Sequence, residues 1–135
     1  MLEGHRSALD TVNAAVRKTS GLEDRIAEIV KDLTLWHIRY RTLSQLNTAQ
    51  LKALSKNNYN LVRDYRHQIT EALRLPVEEA LQNANSHVPL TELYLNAVFA
   101  IILDVSRWFP RDGRMKPKAV AEGYARLARI MLMKN

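Results

Sequence analysis

Cysteine is absent from all 135 residues, which excludes disulfides, thiolate metal sites and cysteine nucleophiles together. Four glycines and four prolines leave little turn chemistry, and no stretch alternates apolar and polar residues as a half-buried strand does. No apolar run reaches the roughly 20 residues that a membrane-spanning helix needs. The longest, Leu93 to Phe109, is interrupted by Asn96, Asp104 and Arg107. The opening MLEGHRSALD has no apolar core of the kind that directs secretion, so the cytoplasm is the expected compartment and no membrane is expected as a partner. A phosphate-binding glycine loop, a Gly-x-Ser-x-Gly turn, a His-Glu-x-x-His pair and a calcium loop are all missing. That removes most common enzymes and leaves no catalytic residue, metal or cofactor to name.

What remains is apolar residues at helical spacing. A first helix is expected over 2–18, carrying Leu2, Leu9, Val12, Ala15 and Val16 on one side, and Thr19-Ser20-Gly21 ends it. A second, over 22–45, opens on Glu23 and Asp24 and presents Ile26, Ile29, Val30, Leu33, Trp36 or His37, Tyr40 and Leu43. Asn47-Thr48 then punctuates the chain and could cap a short helix, 49–55, with Leu51 and Leu54. A long helix over 57–84 contains Pro76, which should kink it. The segment 83–89 reads as a loop. The fold class is therefore all-α, one domain over 1–135, a bundle of five or six helices.

The chain reads as organised around its last two helices, 90–109 and 117–133, joined by Pro110-Arg111-Asp112-Gly113-Arg114. The first of these is apolar nearly all the way round, and Ile130, Leu132 and Met133 widen the stripe of the second. Two adjacent helices with more apolar surface than one core can cover imply an oligomer, most simply a two-fold homodimer.

The net charge of +6 is scattered along every helix, with one modest cluster at Arg111, Arg114, Lys116 and Lys118. Such a cluster is either a solvated basic surface or a place for an anion such as a phosphate. Polar and aromatic groups also fall on or beside the apolar stripes: Trp36, His37 and Tyr40, then Tyr59 and Tyr65, then Asn96, Phe99 and Asp104. Buried polar groups need partners, so these either satisfy one another in a core or converge on a cavity for a small molecule. His67 and Glu71, four apart, lack a third metal ligand and read as a surface pair, as does Glu78-Glu79.

The run from Asn96 through Trp108-Phe109-Pro110-Arg111-Asp112-Gly113-Arg114 to Pro117, followed by Ala119 to Leu127, resembles the C-terminal region of TetR-type transcriptional repressors. It is similar to the branch with a Trp-aromatic-x-x-x-Gly-Arg loop, several of whose members control fatty-acid or sterol breakdown. The His37-x-x-Tyr40 patch and the helix bearing Arg63, Tyr65 and Arg66 fit the same pattern. The resemblance implies an effector-binding and dimerisation domain without the family's N-terminal helix-turn-helix unit, so that DNA is a partner only through a longer parent. It implies a pocket for a small hydrophobic or acyl-CoA-like effector, lined by Trp36, His37, Tyr40, Tyr65, Ile69, Asn96 and Phe99. It also implies an intersubunit four-helix bundle built by the last two helices, with Leu95, Ile102, Trp108, Phe109, Tyr124, Leu127 and Met131 at the interface. A free-standing helical homodimer acting as an interaction module without ligand is the alternative.

Overall fold

Apolar residues recurring every three or four positions build six helices in the computed structural model, which describes residues 2–50, 55–82 and 89–132. They are α1 (Leu2–Arg17), α2 (Leu22–Arg39), α3 (Arg41–Gln50), α4 (Lys56–Leu81), α5 (Leu90–Trp108) and α6 (Pro117–Ile130). There is no strand among the described residues. Most of the expected 49–55 helix, with Leu51 and Leu54, lies outside the described residues, as do most of the 83–89 loop and Met133.

Two expectations about the helices need correction. The second helix does not run to residue 45: α2 ends at Arg39, with Tyr40 leaving helical geometry at φ −109° and ψ 42°, and α3 starts at Arg41. The Asn47-Thr48 pair lies inside α3, not at the start of a helix. Instead Ser55 caps α4, its Oγ accepting from the Asn58 amide at 3.2 Å. α4 continues as a helix through Pro76, whose ring is buried.

The organising helix is α2, which packs against each of the other five, whereas the apolar richness of 90–133 points to α5 and α6. Its burial explains this: Ile26, Ala27, Ile29, Val30, Leu33, Thr34, Trp36, His37 and Ile38 are all buried, far wider than one stripe. The Thr34 hydroxyl is kept satisfied inside by donating to the Val30 carbonyl at 2.7 Å. α1 lies on α2 and α4 through Ala8, Leu9, Val12 and Ala15, and α5 lies on α2, α3 and α4. α6 lies along α2, aided at the surface by Arg129 to Asp24 at 2.6 Å. Between α5 and α6 the Tyr94 hydroxyl donates to the Ala128 carbonyl at 2.7 Å. Gly113, in the loop joining them, has φ +79°, a backbone state that side-chain-bearing residues rarely adopt.

A second, smaller cluster joins Ile38, Val105 and Val120, with Trp108, Phe109 and Tyr124 half-buried against it. α3 clamps this end of α5: Arg41 donates to the Phe109 carbonyl and lies 5.6 Å over its ring, and Gln45 donates to the Ser106 carbonyl at 3.1 Å.

Candidate functional site

Five helices leave a cavity of about 450 Å³ between them. α1 contributes His5 and Ala8, α2 contributes Leu33, Trp36 and His37, and α3 contributes Ser44. α4 contributes Arg66, Ile69, Thr70 and Arg74, and α5 contributes Glu92, Leu95, Asn96, Phe99 and Leu103. The α5 wall from Glu92 to Leu103 spans roughly 16 Å of helix. On α4, Arg66, Thr70 and Arg74 recur every four residues and form one row along it. An apolar floor with a few polar groups at fixed places is the usual makeup of a small-molecule site.

Several of the polar groups are positioned by a neighbouring helix. Trp36 is held by its indole N–H, which donates to Ser7 Oγ at 2.9 Å, tying α2 to α1. Arg66 Nε donates to His5 Nε2 at 3.4 Å. Arg74 is bound by two carboxylates, Glu71 at 2.9 Å and Glu92 across the gap to α5. That pairing holds the Glu92 carboxyl below its ordinary range.

His37 begins a buried polar chain. Its Nδ1 lies 2.7 Å from Ser44 Oγ, Ser44 Oγ lies 3.3 Å from Ser106 Oγ, and Ser106 Oγ lies 3.3 Å from the Leu103 carbonyl. The directions follow from the far end. A carbonyl can only accept, so Ser106 donates to Leu103, Ser44 donates to Ser106, and the ring proton of His37 is assigned to Nδ1. Nε2 is thereby left as an acceptor on a residue that lines the cavity.

Burial, followed by the nearby charge of His5, pushes the His37 imidazole down from 6.5 to about 4. In the unfolded chain the ring takes a proton near pH 6.5, in the folded chain only near 4. Between those values the unfolded state binds more protons, so stability falls as pH falls. The expected loss is on the order of 3 kcal/mol across that window, at about 1.4 kcal/mol per pH unit. Denaturant unfolding of wild type and His37→Asn at pH 7, 5.5 and 4 checks this. The difference between the two should shrink or reverse as acid is added; a constant difference would mean that His37 does not titrate there.

Of the seven residues expected at the pocket, the cavity wall brings together Trp36, His37, Ile69, Asn96 and Phe99. Tyr40 and Tyr65 are elsewhere. Tyr40 stands at the end of α2, 40% exposed, its ring 5.3 Å from that of Trp36. Tyr65 is one position from Arg66, hence about 100° round the helix, where it packs at the edge of the main core and helps raise the Arg6 guanidinium above its ordinary range. Of the expected interface residues, Leu95 and Ile102 are 2% and 0% exposed within the single chain. They belong to the subunit's own core, because α5 turns its Leu95, Val98, Ile102 and Val105 face towards α2. Trp108, Phe109 and Tyr124 are half-buried, and Leu127 and Met131 are exposed.

Sequence reasoning missed His5, Ser44, Arg66, Thr70, Arg74 and Glu92. His5 had a signal: it lies three and four residues before Ala8 and Leu9, on the buried stripe of α1. The basic residues Arg111, Arg114, Lys116 and Lys118 are all exposed and apart from the cavity lining. Among the described residues no cluster of three or more His, Asp or Glu could hold a metal, and no helix is long and apolar enough to cross a membrane.

The sequence model described as "Tetracyclin repressor-like, C-terminal domain" matches residues 19–132. A bacterial regulatory protein in the TetR family from Rhodococcus RHA1 is 28% identical, with a TM-score of 0.82 over 97% of this chain and 69% of that one. The TetR-family transcriptional regulator PfmR from Thermus thermophilus is 20% identical, with a TM-score of 0.77 over 98% of this chain and 75% of that one. A TetR-family regulator from Bordetella parapertussis 12822 is 18% identical, with a TM-score of 0.79 over 92% of this chain and 65% of that one. At their identities the last two speak to the fold alone. No curated protein matches the sequence.

Proposed function

Because the chain belongs to the tetracycline-repressor-like transcriptional regulators, through their C-terminal domain, we propose that it binds a small, largely apolar effector and joins two subunits of such a regulator. The family is one of regulators, not of enzymes, and its members act as dimers that bind small-molecule effectors. The observation that carries the effector reading is the cavity walled by α1 to α5, apolar within and polar at a few points. Its volume of about 450 Å³ holds on the order of fifteen non-hydrogen atoms, taking roughly 30 Å³ for each. That suits an acyl chain, free or carried on coenzyme A with the coenzyme outside.

α1 supplies His5 and Ala8 to the wall. In a full-length regulator of this type it is the helix that follows the DNA-reading unit. A ligand that prefers one placement of α1 against α2 and α4 shifts the population of DNA-competent dimers by its differential affinity, and the regulator leaves its operator.

For the dimer, α5 and α6 present apolar residues that the single chain leaves uncovered: Leu93, Ala97 and Ala100 on one, Ala119, Leu127 and Ile130 on the other. Gly123 lies between the latter residues on α6, and a Cβ there would meet nothing within 4 Å. Small residues beside Leu and Ile let helices of two subunits approach closely.

The test is denaturant unfolding with and without decanoic acid or decanoyl-CoA. A ligand at a hundred times its Kd should raise the unfolding free energy by about 2.7 kcal/mol. Phe99→Ala should raise the Kd more than it lowers stability without ligand. Equal losses would mean that the aromatic cluster is simply core.

A further inference from the structure

Two guanidinium groups face the cavity from the same row of α4, and their surroundings differ. Arg74 is met by Glu71 and Glu92. Arg66 has as its partner the ring nitrogen of His5, at 3.4 Å, and among the described residues no carboxylate lies within ion-pair distance of it. The charges round the cavity are unevenly placed: two carboxylates, Glu71 and Glu92, both sit on Arg74, and neither sits on Arg66. The hydrogen bond to His5 uses Nε, which leaves the two terminal nitrogens of Arg66 to donate in parallel.

Resting on the effector reading above, we infer that the ligand is a monocarboxylate with an apolar body, its carboxylate taken by Arg66 while the body lies over Leu33, Trp36, Ile69 and Phe99. A carboxylate matches the planar fork of an arginine with two parallel hydrogen bonds, which an ester or an alcohol does not. It also supplies the carboxylate partner that Arg66 lacks among the described residues. Arg74 plays no such part, since its donors are already engaged by Glu71 and Glu92 and a ligand would have to displace one of them. A thioester lacks the negative charge at this end of the chain, so the free acid is the form that fits.

Isothermal titration calorimetry of the 135-residue chain tests this with decanoic acid, methyl decanoate, 1-decanol and decanoyl-CoA, on wild type, Arg66→Gln and Arg74→Gln. The acid should bind wild type on the order of tenfold more tightly than the ester or the alcohol, the scale of one charge-assisted pair at a partly solvated site. That preference should vanish in Arg66→Gln and persist in Arg74→Gln, so that the coupling is assigned to one residue. Equal binding of acid, ester and alcohol to wild type would overturn the carboxylate and leave the apolar effector standing. Binding of decanoyl-CoA more tightly than the acid would overturn it in favour of a thioester. No binding by any of the four would overturn the effector reading itself together with the carboxylate.

Discussion

Leu127→Lys combined with Ile130→Lys should convert the dimer to monomer at concentrations where wild type is fully paired. In the single chain both side chains are about half exposed, 48% and 49%, so lysine ammonium groups there reach water. Both lie in the last turn of α6, where a cation is favoured by the helix dipole, and folding of the subunit should not suffer. In the proposed dimer each substitution occurs twice by symmetry and is covered by the partner. A charge buried without a counter-ion costs several kcal/mol, so even a partial escape to the rim leaves a loss of roughly 3–4 kcal/mol, a 100- to 1000-fold rise in the dissociation constant. Sedimentation equilibrium gives that constant and circular dichroism shows whether helix content is kept. An unchanged dissociation constant would place the interface on another face.

Ile102→Ala should do the reverse, weakening the fold and sparing the dimer. Ile102 is fully buried in the main core, on the side of α5 that meets α2. Removing three carbons there leaves a cavity between close-packed helices, and such substitutions lower the unfolding free energy by about 2–5 kcal/mol. Because dimerisation and folding are linked, the loss is to be read from denaturation at several protein concentrations. The position discriminates between two uses of α5. Were Ile102 at the subunit interface, the substitution would raise the dimer dissociation constant while leaving the unfolding of the separated subunit nearly unaltered.

That contrast also shows where the sequence stops being informative. Helical spacing is a local property, and the helices it implies, over 2–18, 57–84, 90–109 and 117–133, agree with α1, α4, α5 and α6 to within a few residues. The break at Tyr40 is not legible, because the positions around it, Ile38 and Leu43, continue the apolar stripe and neither glycine nor proline marks the turn. On α5, apolar nearly all round, periodicity cannot say which side faces inward. The choice is made by α2, which takes Leu95 and Ile102 and leaves Leu93, Ala97 and Ala100 outside.

The pocket is legible in part for the same reason. Trp36, His37 and Phe99 stand out as aromatic or polar groups on apolar stripes. Arg66, Arg74 and Glu92 look like ordinary surface charges in one dimension, and Ser44 like any polar residue of the expected 22–45 helix. Only the packing of α1, α3, α4 and α5 around α2 sets them round one space. The serine pair linking His37 to α5 spans 62 residues of sequence, which no local pattern encodes.

The claim on which the rest depends is that the cavity between α1 and α5 holds an effector within a dimer. Native mass spectrometry of the chain with decanoic acid or decanoyl-CoA, beside Asn96→Trp, tests it most directly. Asn96 lines the cavity from an exposed position, so an indole there should obstruct the space without disturbing the core. The expected result is a wild-type dimer carrying up to two ligands and an Asn96→Trp dimer carrying none. A dimer that stays empty with every ligand, or that binds equally well with the space obstructed, would contradict the effector site and leave a helical homodimer that serves only to join its subunits.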